Sequence, residues 1–99
     1  MWTVHIHPLV LEDDLAQFDP PVQRRLLSAI RARLTTNPKA YGAPLRGEYA
    51  GLWKLRVGDY RVIYRLLEQR VEVLILKVRA RRDFEVYHDL LPRLKRLGH

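Results

Sequence analysis

A two-residue turn between two segments of β pattern constrains this chain more than any other feature of its sequence. Residues 52–57 and 60–66 each alternate with a period of two, and Gly58-Asp59 separates them. This arrangement is typical of a β-hairpin, and a loop of two residues fixes the register between its strands. Arg56 is then opposite Arg61, and each opposed pair lies on one face of the sheet.

The predicted hairpin has two faces of contrasting character. One face has three aromatic side chains and no charge, and it consists of Trp53, Leu55, Val57, Tyr60, Val62 and Tyr64. We expect this face to lie against the core. The other face consists of Leu52, Lys54, Arg56, Arg61, Ile63 and Arg65. Four cations without an acid predict a surface rather than a core.

The basic face has two interpretations. It could be an ordinary solvated face, although such faces usually mix positive and negative charge. It could also bind an anion, because phosphate between Arg56 and Arg61 would offset their repulsion. Arg79-Ala80-Arg81-Arg82 and Tyr87 follow the last predicted strand. They either extend this site, since Arg holds phosphate and Tyr stacks on bases, or form a basic strand end with a core tyrosine.

The remaining segments predict a mixed fold. Residues 3–7 alternate as a short strand, and a helical apolar stripe begins after Pro8 and reaches Phe18. A second helix starts after Asp19 and stops at Asn37-Pro38, with apolar residues at intervals of four. Residues 39–44 are predicted to be a loop, and residues 71–78 a further strand.

The C-terminal part is predicted to be a helix followed by a basic tail. Asp83 can cap a helix that carries Phe84, Val86 and Tyr87, Pro92 breaks or ends it, and residues 93–99 form the tail. The order β-α-α-β-β-β-α predicts an α+β fold. We expect a single domain over residues 1–99, with a small antiparallel-rich sheet, two N-terminal helices packed on one face, and a C-terminal helix.

Composition narrows the classes of function. The 99 residues carry 18 Lys+Arg and 11 Asp+Glu, a formal net charge of +7, with most of the excess in residues 46–99. A basic chain suits a polyanion such as nucleic acid. The absence of cysteine excludes disulfides and thiolate chemistry and suits a cytoplasmic location. Because no long apolar run is present, we expect neither a membrane span nor a signal peptide.

Common catalytic and metal-binding motifs are missing from the sequence. It has no Gly-rich phosphate loop, no GxSxG and no HExxH. His5 and His7 share a strand face without an evident third ligand, so we interpret them as exposed strand histidines. His88 has no evident partner acid and is a poor candidate for a general base. We therefore expect neither a metal nor a cofactor.

Two runs of the sequence carry a family resemblance. Leu45-Arg46-Gly47 and residues 51–64, GLWKLRVGDYRVIY, closely resemble the RelE/ParE superfamily of toxin–antitoxin toxins. Residues 79–87, RARRDFEVY, resemble the segment that closes the RelE branch. The Tyr-Arg strand is shared with the gyrase-directed ParE toxins, so it specifies the superfamily more than the branch.

The resemblance implies an activity. RelE-type toxins cut messenger RNA in the ribosomal A site without a metal, by attack of the ribose 2′-OH on its own 3′-phosphate and departure of the downstream 5′-oxygen. By resemblance, Lys54 is the catalytic lysine and Arg61 stabilises the phosphate. Arg81 lies near the leaving group, and Tyr87 orients or stacks on the nucleotide. Either Lys54 or Tyr87 is the base, and Arg81 acts through charge because guanidinium keeps its proton.

Further residues are expected to support this site. Candidates for binding RNA phosphates are Arg56, Arg65, Arg79 and Arg82. The family pattern has a second lysine two residues before Lys54, where this chain has Leu52. That difference weakens the cationic site and puts rate and codon preference in doubt.

The resemblance also implies partners. They are a cognate antitoxin, the ribosome and messenger RNA, with no membrane and no small-molecule cofactor. A small basic site without a deep pocket gains its orientation from the ribosome. Two other functions remain open: non-enzymatic inhibition of DNA gyrase, as in ParE toxins, and RNA binding without cleavage.

Overall fold

A five-stranded sheet with helices against both faces organises the chain. The computed structural model describes residues 1–80 and 90–96. The strands are β1 (Thr3–Ile6), β2 (Ala43–Pro44), β3 (Leu52–Val57), β4 (Tyr60–Leu67) and β5 (Glu72–Ala80). The α-helices are α1 (Pro20–Leu34), α2 (Pro38–Tyr41) and α3 (Leu90–Arg96). The strand order is β1-β5-β4-β3-β2, with β1 parallel to β5 and the other pairs antiparallel. The predicted α+β class is confirmed.

The β3–β4 hairpin has the predicted register. Arg56 pairs with Arg61 and Val57 with Tyr60, so the turn contains only Gly58 and Asp59. Gly58 has a φ of +56°, a left-handed conformation that glycine adopts without steric strain. The Arg25 guanidinium also lies where a side chain on Gly58 would be. Because Arg25 is exposed and its guanidinium can move aside, the left-handed φ is the constraint that favours glycine at this turn.

The apolar face of the hairpin lies against α1, as predicted. Leu26, Ile30 and Leu34 are buried along one side of this helix. They belong to one apolar cluster with Val62, Tyr64 and further strand residues. The spacing of four in the sequence thus becomes the stripe that holds the helix on the sheet.

The opposite face of the sheet carries a second, smaller core that the sequence did not predict. Its buried members are Leu52, Ile63, Leu76, Leu90 and Leu94. Helix α3 covers this patch and continues through Pro92 to Arg96, so the predicted end at Pro92 and the predicted basic tail are wrong for residues 93–96, whereas residues 97–99 lie outside the described residues. Pro92 is the third residue of α3, in the first turn, where a helix needs no backbone donor. Arg93 and Leu94 are buried instead of extending into solvent.

The segment predicted to be a loop contains regular structure. Pro38 begins the short helix α2, and the side chain of Asn37 accepts a hydrogen bond from the Ala40 N–H at 3.2 Å. Ala43 then pairs with Lys54 as part of the two-residue strand β2. A helix of one turn and a strand of two residues are too short for a periodic pattern to reveal them.

The segment predicted as the first helix contains one turn that is wider than an α-helix and one that is tighter. A π-helical turn spans Val10–Asp14, and a 3₁₀ turn spans Leu15–Gln17. Asp14 is fully buried, although the apolar stripe leaves it out. Its carboxylate holds this segment against β5, which shows tertiary contacts overriding local periodicity.

The Asp14 carboxylate is the centre of a buried hydrogen-bonded cluster. It accepts from the Val78 N–H at 2.9 Å and from Arg79 Nη1 at 2.6 Å. Arg93 donates to both of its oxygens, at 2.9 and 2.8 Å. Pairing with β1 ends at Ile75, so Asp14 supplies the acceptor that a neighbouring strand would supply beyond that point. One side chain thus links the N-terminal turns, β5 and α3.

Two kinds of feature are absent from the described residues. Within residues 1–80 and 90–96, no helix has the length and apolar character that crossing a membrane requires. Nor do any three His, Asp or Glu side chains in those ranges group as ligands for a metal ion. The predicted Asp83 cap, the helix residues Phe84 to Tyr87, and His88 lie outside the described residues.

Candidate functional site

A small basic depression lies beside the hairpin on the face opposite α1. It has a volume of about 170 Å³ and is lined by Tyr41, Gly42, Ala43, Lys54, Leu55, Arg56 and Arg61. Three of these residues are cations and none is an acid. We call this feature the basic depression. Its charge suits an anion, because bound phosphate would relieve repulsion among side chains that the sheet holds together.

Lys54 is held in the interior of the sheet. It pairs with Ala43 on one side and with Ile63 on the other. Its side chain is half-buried, whereas that of Arg56 is exposed. Because strands flank Lys54 on both sides, its backbone position is fixed, and the amine can reach a ligand only from the face of the sheet.

Three arginines form a row across the central strands. Arg56 pairs with Arg61, and Arg61 pairs with Arg79. Cross-strand partners share a face, so the row runs from the hairpin edge towards β1. The Asp14 carboxylate, which Arg79 shares with Arg93, offsets part of the charge at the Arg79 end, since Arg79 Nη1 lies 2.6 Å from it. Arg56 and Arg61 lie at the depression, where none of the described lining residues is an acid.

The structure brings together only some of the predicted site residues. Lys54, Arg56 and Arg61 meet at the depression. Arg65 is half-buried on the same face but lies opposite Leu52, beyond the depression. Arg79 is bound to Asp14. The predicted residues Arg81, Arg82 and Tyr87 lie outside the described residues.

Leu52 has a packing role in this structure. It is 2% exposed and belongs to the second core with Ile63 and Leu90. A lysine at this position would place its charge beneath α3 or displace the helix. The departure from the family pattern is thus matched by the apolar cover over this part of the sheet.

A larger cleft elsewhere is less suited to an anion. It has a volume of about 550 Å³, and its lining includes Glu12, Asp13, Arg93 and Arg96. Arg93 binds Asp14 at 2.8 Å and Arg96 lies 3.4 Å from Asp13, so these cations are already compensated. Charge therefore favours the smaller basic depression as the candidate site.

Tyr41 is a site residue that the sequence reasoning missed. It is 57% exposed and is the aromatic member of the depression lining. Its position depends on Tyr64, whose hydroxyl donates to the Pro38 carbonyl at 2.6 Å. Burial raises the pKa of the Tyr64 phenol far above its ordinary value, so the proton needed for this hydrogen bond remains in place.

Gly42 completes the attachment of this segment to the core. A Cβ added there would overlap the Tyr64 hydroxyl and lie 3.0 Å from the Lys54 carbonyl oxygen. Only a residue without a side chain lets the backbone pass this close. Gly42 therefore fixes the distance between the segment carrying Tyr41 and the strand carrying Lys54.

We expect Gly42→Ala to destabilise the fold by about 1–3 kcal/mol, because the added methyl group has no space beside Tyr64. Urea unfolding measures this change. Tyr64→Phe removes the overlapping oxygen, so the double variant should lose at least about 0.5 kcal/mol less than the sum of the single losses. Strictly additive losses would contradict the assigned contact.

Comparison with known proteins decides the family. Residues 9–84 match the family model described as ParE toxin of type II toxin-antitoxin system, parDE. Toxin RelG of Mycobacterium tuberculosis is 34% identical over 70 residues, which cover 71% of this chain and 80% of that protein. The chain belongs to the RelE/ParE superfamily of toxins. The predicted superfamily is confirmed.

Solved structures agree with this RelE/ParE assignment. The toxin–antitoxin complex RelBE2 from M. tuberculosis contains a similar chain, with 31% identity and a TM-score of 0.76. That match covers 81% of this chain and 98% of the other. An archaeal RelE-RelB complex from Pyrococcus horikoshii matches with 28% identity and a TM-score of 0.63, over 83% of this chain and 97% of the other. The fold is thus that of RelE-type toxins.

Proposed function

We propose that this RelE-like toxin is a ribosome-dependent messenger RNA endoribonuclease. The observation that carries the proposal is the grouping of Lys54, Arg56 and Arg61 in one depression, whose described lining residues include no acid. RNA supplies the polyanion that such a site suits. Two of the three, Lys54 and Arg61, are also the positions that the family resemblance assigns to catalysis.

The proposed reaction moves one proton and exchanges one bond. The 2′-oxygen attacks the adjacent phosphorus, the bond from phosphorus to the downstream 5′-oxygen breaks, and a 2′,3′-cyclic phosphate forms. The proton lost from the 2′-hydroxyl is balanced by the one that the 5′-oxygen gains. Charge on the phosphoryl oxygens grows during attack, so cations fixed in advance stabilise the transition state more than the substrate.

Each site residue has a proposed role. Arg61, half-buried at the depression, contacts the phosphoryl oxygens, and exposed Arg56 attracts the chain and holds a neighbouring phosphate. Lys54 faces the reacting phosphate and either accepts the 2′-hydroxyl proton or stabilises charge. Arg81 and Tyr87 carry the roles that the resemblance gives them, at the leaving oxygen and at the nucleotide. Arg65, Arg79 and Arg82 remain candidates for phosphate contacts along the RNA.

The ribosome is proposed to hold the RNA in the geometry that cleavage requires. A depression of about 170 Å³ contacts one side of a nucleotide and leaves the rest of the RNA unrestrained. In-line attack by a 2′-oxygen requires a strained backbone, and holding it in that geometry contributes a large part of the rate. A message held in the ribosomal A site is already restrained, which explains why so small a site would suffice.

We also propose a cognate antitoxin as partner. Similar chains occur in the RelBE2 complex and in the archaeal RelE-RelB complex. The basic face offers an acidic peptide the same charge complementarity that it offers RNA. A cytoplasmic location follows from the proposed ribosomal target.

The proposed activity predicts cleavage of ribosome-bound messages and little cleavage of naked RNA. Purified toxin should cut a message positioned in the A site at least about 100-fold faster than the same free RNA, because restraint supplies the missing orientation. Primer extension and end analysis should find 5′-hydroxyl and 2′,3′-cyclic phosphate termini.

Three results would contradict the proposal. Equal cleavage of free and ribosome-bound RNA would remove the ribosome from the mechanism. Intact messages together with inhibited supercoiling by DNA gyrase would instead establish the ParE-like alternative. Binding of RNA without cleavage would identify a plain RNA-binding module.

A further inference from the structure

Tyr41 combines exposure with a fixed position at the rim of the basic depression. Its side chain is 57% exposed, and it lines the depression together with Lys54, Arg56 and Arg61. A single exposed aromatic residue is unremarkable on a protein surface. An aromatic ring beside three cations without an acid is the combination that nucleotides require, because the base stacks on the ring and the phosphate binds the cations.

The backbone that carries Tyr41 is held at three points. Ahead of it, the Pro38 carbonyl accepts the Tyr64 hydroxyl at 2.6 Å. Behind it, Gly42 packs against the Tyr64 ring, and Ala43 pairs with Lys54. The ring therefore reaches solvent from a restrained backbone, which lowers the conformational entropy lost when a ligand stacks on it.

We propose that Tyr41 is a stacking platform for the nucleobase next to the phosphate bound in the basic depression. The proposal rests on the RNA substrate of the proposed function and adds a base-recognition site to it. Neither the family resemblance nor the predicted site residues include Tyr41. Stacking accepts every base but favours purines with their larger π surface, so Tyr41 contributes affinity and a preference for purine at this nucleotide.

Binding can be measured without cleavage. The probe is a short RNA with a 2′-deoxy nucleotide at the linkage to be cut, titrated into the purified toxin. We expect Tyr41→Ala to weaken binding about tenfold, within the range of base–aromatic stacking. Tyr41→Phe keeps the ring and should stay within about twofold of the parent chain, whereas Tyr41→Leu keeps apolar volume without the ring and should behave as alanine does.

Removing the base tests the same contact from the RNA side. Probes with an abasic nucleotide on either side of the protected linkage should include one that binds the parent toxin about tenfold more weakly. That probe should lose nothing further with Tyr41→Ala, since ring and base form one interaction. Ring-current shifts of the Tyr41 ring protons in NMR spectra, assigned with Tyr41→Phe, should accompany binding. Leu11→Ala, which removes another exposed apolar side chain, is the control and should bind normally.

The outcomes separate this proposal from the proposed function. Binding that depends on both Tyr41 and the base, with ribosome-bound messages left intact, would support the stacking site and overturn the nuclease. Cleavage by Tyr41→Ala with unchanged KM and unchanged base preference would overturn the stacking site and leave the nuclease standing. Absence of RNA binding, or binding indifferent to the base, would likewise overturn the stacking site.

Discussion

Arg61→Ala is expected to lower the rate of ribosome-dependent RNA cleavage by about 100- to 1,000-fold, the usual effect of removing one fixed stabiliser of transition-state charge. Arg61 occupies the centre of the arginine row, between Arg56 and Arg79, and lines the depression with Lys54. Its loss removes positive charge where the phosphoryl oxygens gain negative charge. Single-turnover cleavage of a programmed ribosome measures the chemical step directly.

Lys54→Ala tests the second cation of the depression. If both side chains act on one phosphate, the double variant should lose much less than the product of the single losses. Arg70→Ala is the matched control, because this exposed arginine lies in the turn between β4 and β5 and does not line the depression. It should cleave at the parent rate. Similar losses of cleavage rate in Arg70→Ala and Arg61→Ala would show that Arg61 acts only through general electrostatic attraction of RNA.

Folding of each variant must be shown separately. Arg61 and Lys54 are both half-buried, so thermal unfolding should accompany every rate. A fall in cleavage with an unchanged unfolding midpoint assigns the loss to the site. A cleavage rate that Arg61→Ala leaves unchanged would exclude this depression as the catalytic centre.

The second large effect concerns stability. Asp14→Ala should lower the free energy of unfolding by about 3–5 kcal/mol, because it removes the two short hydrogen bonds between the buried Arg93 guanidinium and a carboxylate, and the remaining contact to Asp13 is 3.9 Å long. The Val78 N–H also loses its acceptor. Urea unfolding monitored by tryptophan fluorescence gives the free energy of unfolding for each variant.

Asp13→Ala is the natural control for this measurement. The Asp13 carboxylate is adjacent in sequence but 39% exposed, and its contacts to Arg96 and Arg93 are longer, at 3.4 and 3.9 Å. Exposed pairs of this kind contribute about 0–1 kcal/mol. The Asp14→Ala, Arg93→Ala double variant should lose less than the sum of the single losses, since the buried Arg93 charge is removed together with its main partner. A loss below about 1 kcal/mol for Asp14→Ala would contradict the central role assigned to this carboxylate.

The hairpin was predictable because its information is local. Two alternating segments and the dipeptide Gly58-Asp59 set the register without reference to the rest of the chain. That register then placed Lys54, Arg56 and Arg61 on one face, and these are the three cations of the basic depression. The apolar spacing of α1 predicted its buried side for the same reason.

Features that depend on distant contacts were not predictable. The acidic run Glu12-Asp13-Asp14 contains no signal that selects Asp14 for burial, because its donors lie on β5 and α3. Tyr41 reaches the site only because Tyr64 holds Pro38 and leaves room for Gly42.

The sequence predicted the positive charge of the basic face but not the helix that covers part of it. Leu52 and Ile63 interrupt its cations, and their alternation gave no sign of a covering helix. A proline within the C-terminal segment suggested an end, although the first turn of a helix accepts proline readily. The second core therefore could not be predicted, because it depends on the packing of α3 against the sheet.

The parallel pairing of β1 with β5 sets an order for folding during synthesis. It joins Thr3 to Glu72, so β1 cannot pair with β5 until most of the described chain has been synthesised. The hairpin closes over two residues and can form much earlier, because local contacts carry a smaller loss of chain entropy. The hydrogen bonds of Asp14 form later still, because their donors on Val78, Arg79 and Arg93 are synthesised after β5 has begun. The contacts that join β1 and Asp14 to the rest of the fold therefore form only after β5 and Arg93 have been synthesised, so the N-terminal segment is the first made and among the last to be fixed in place.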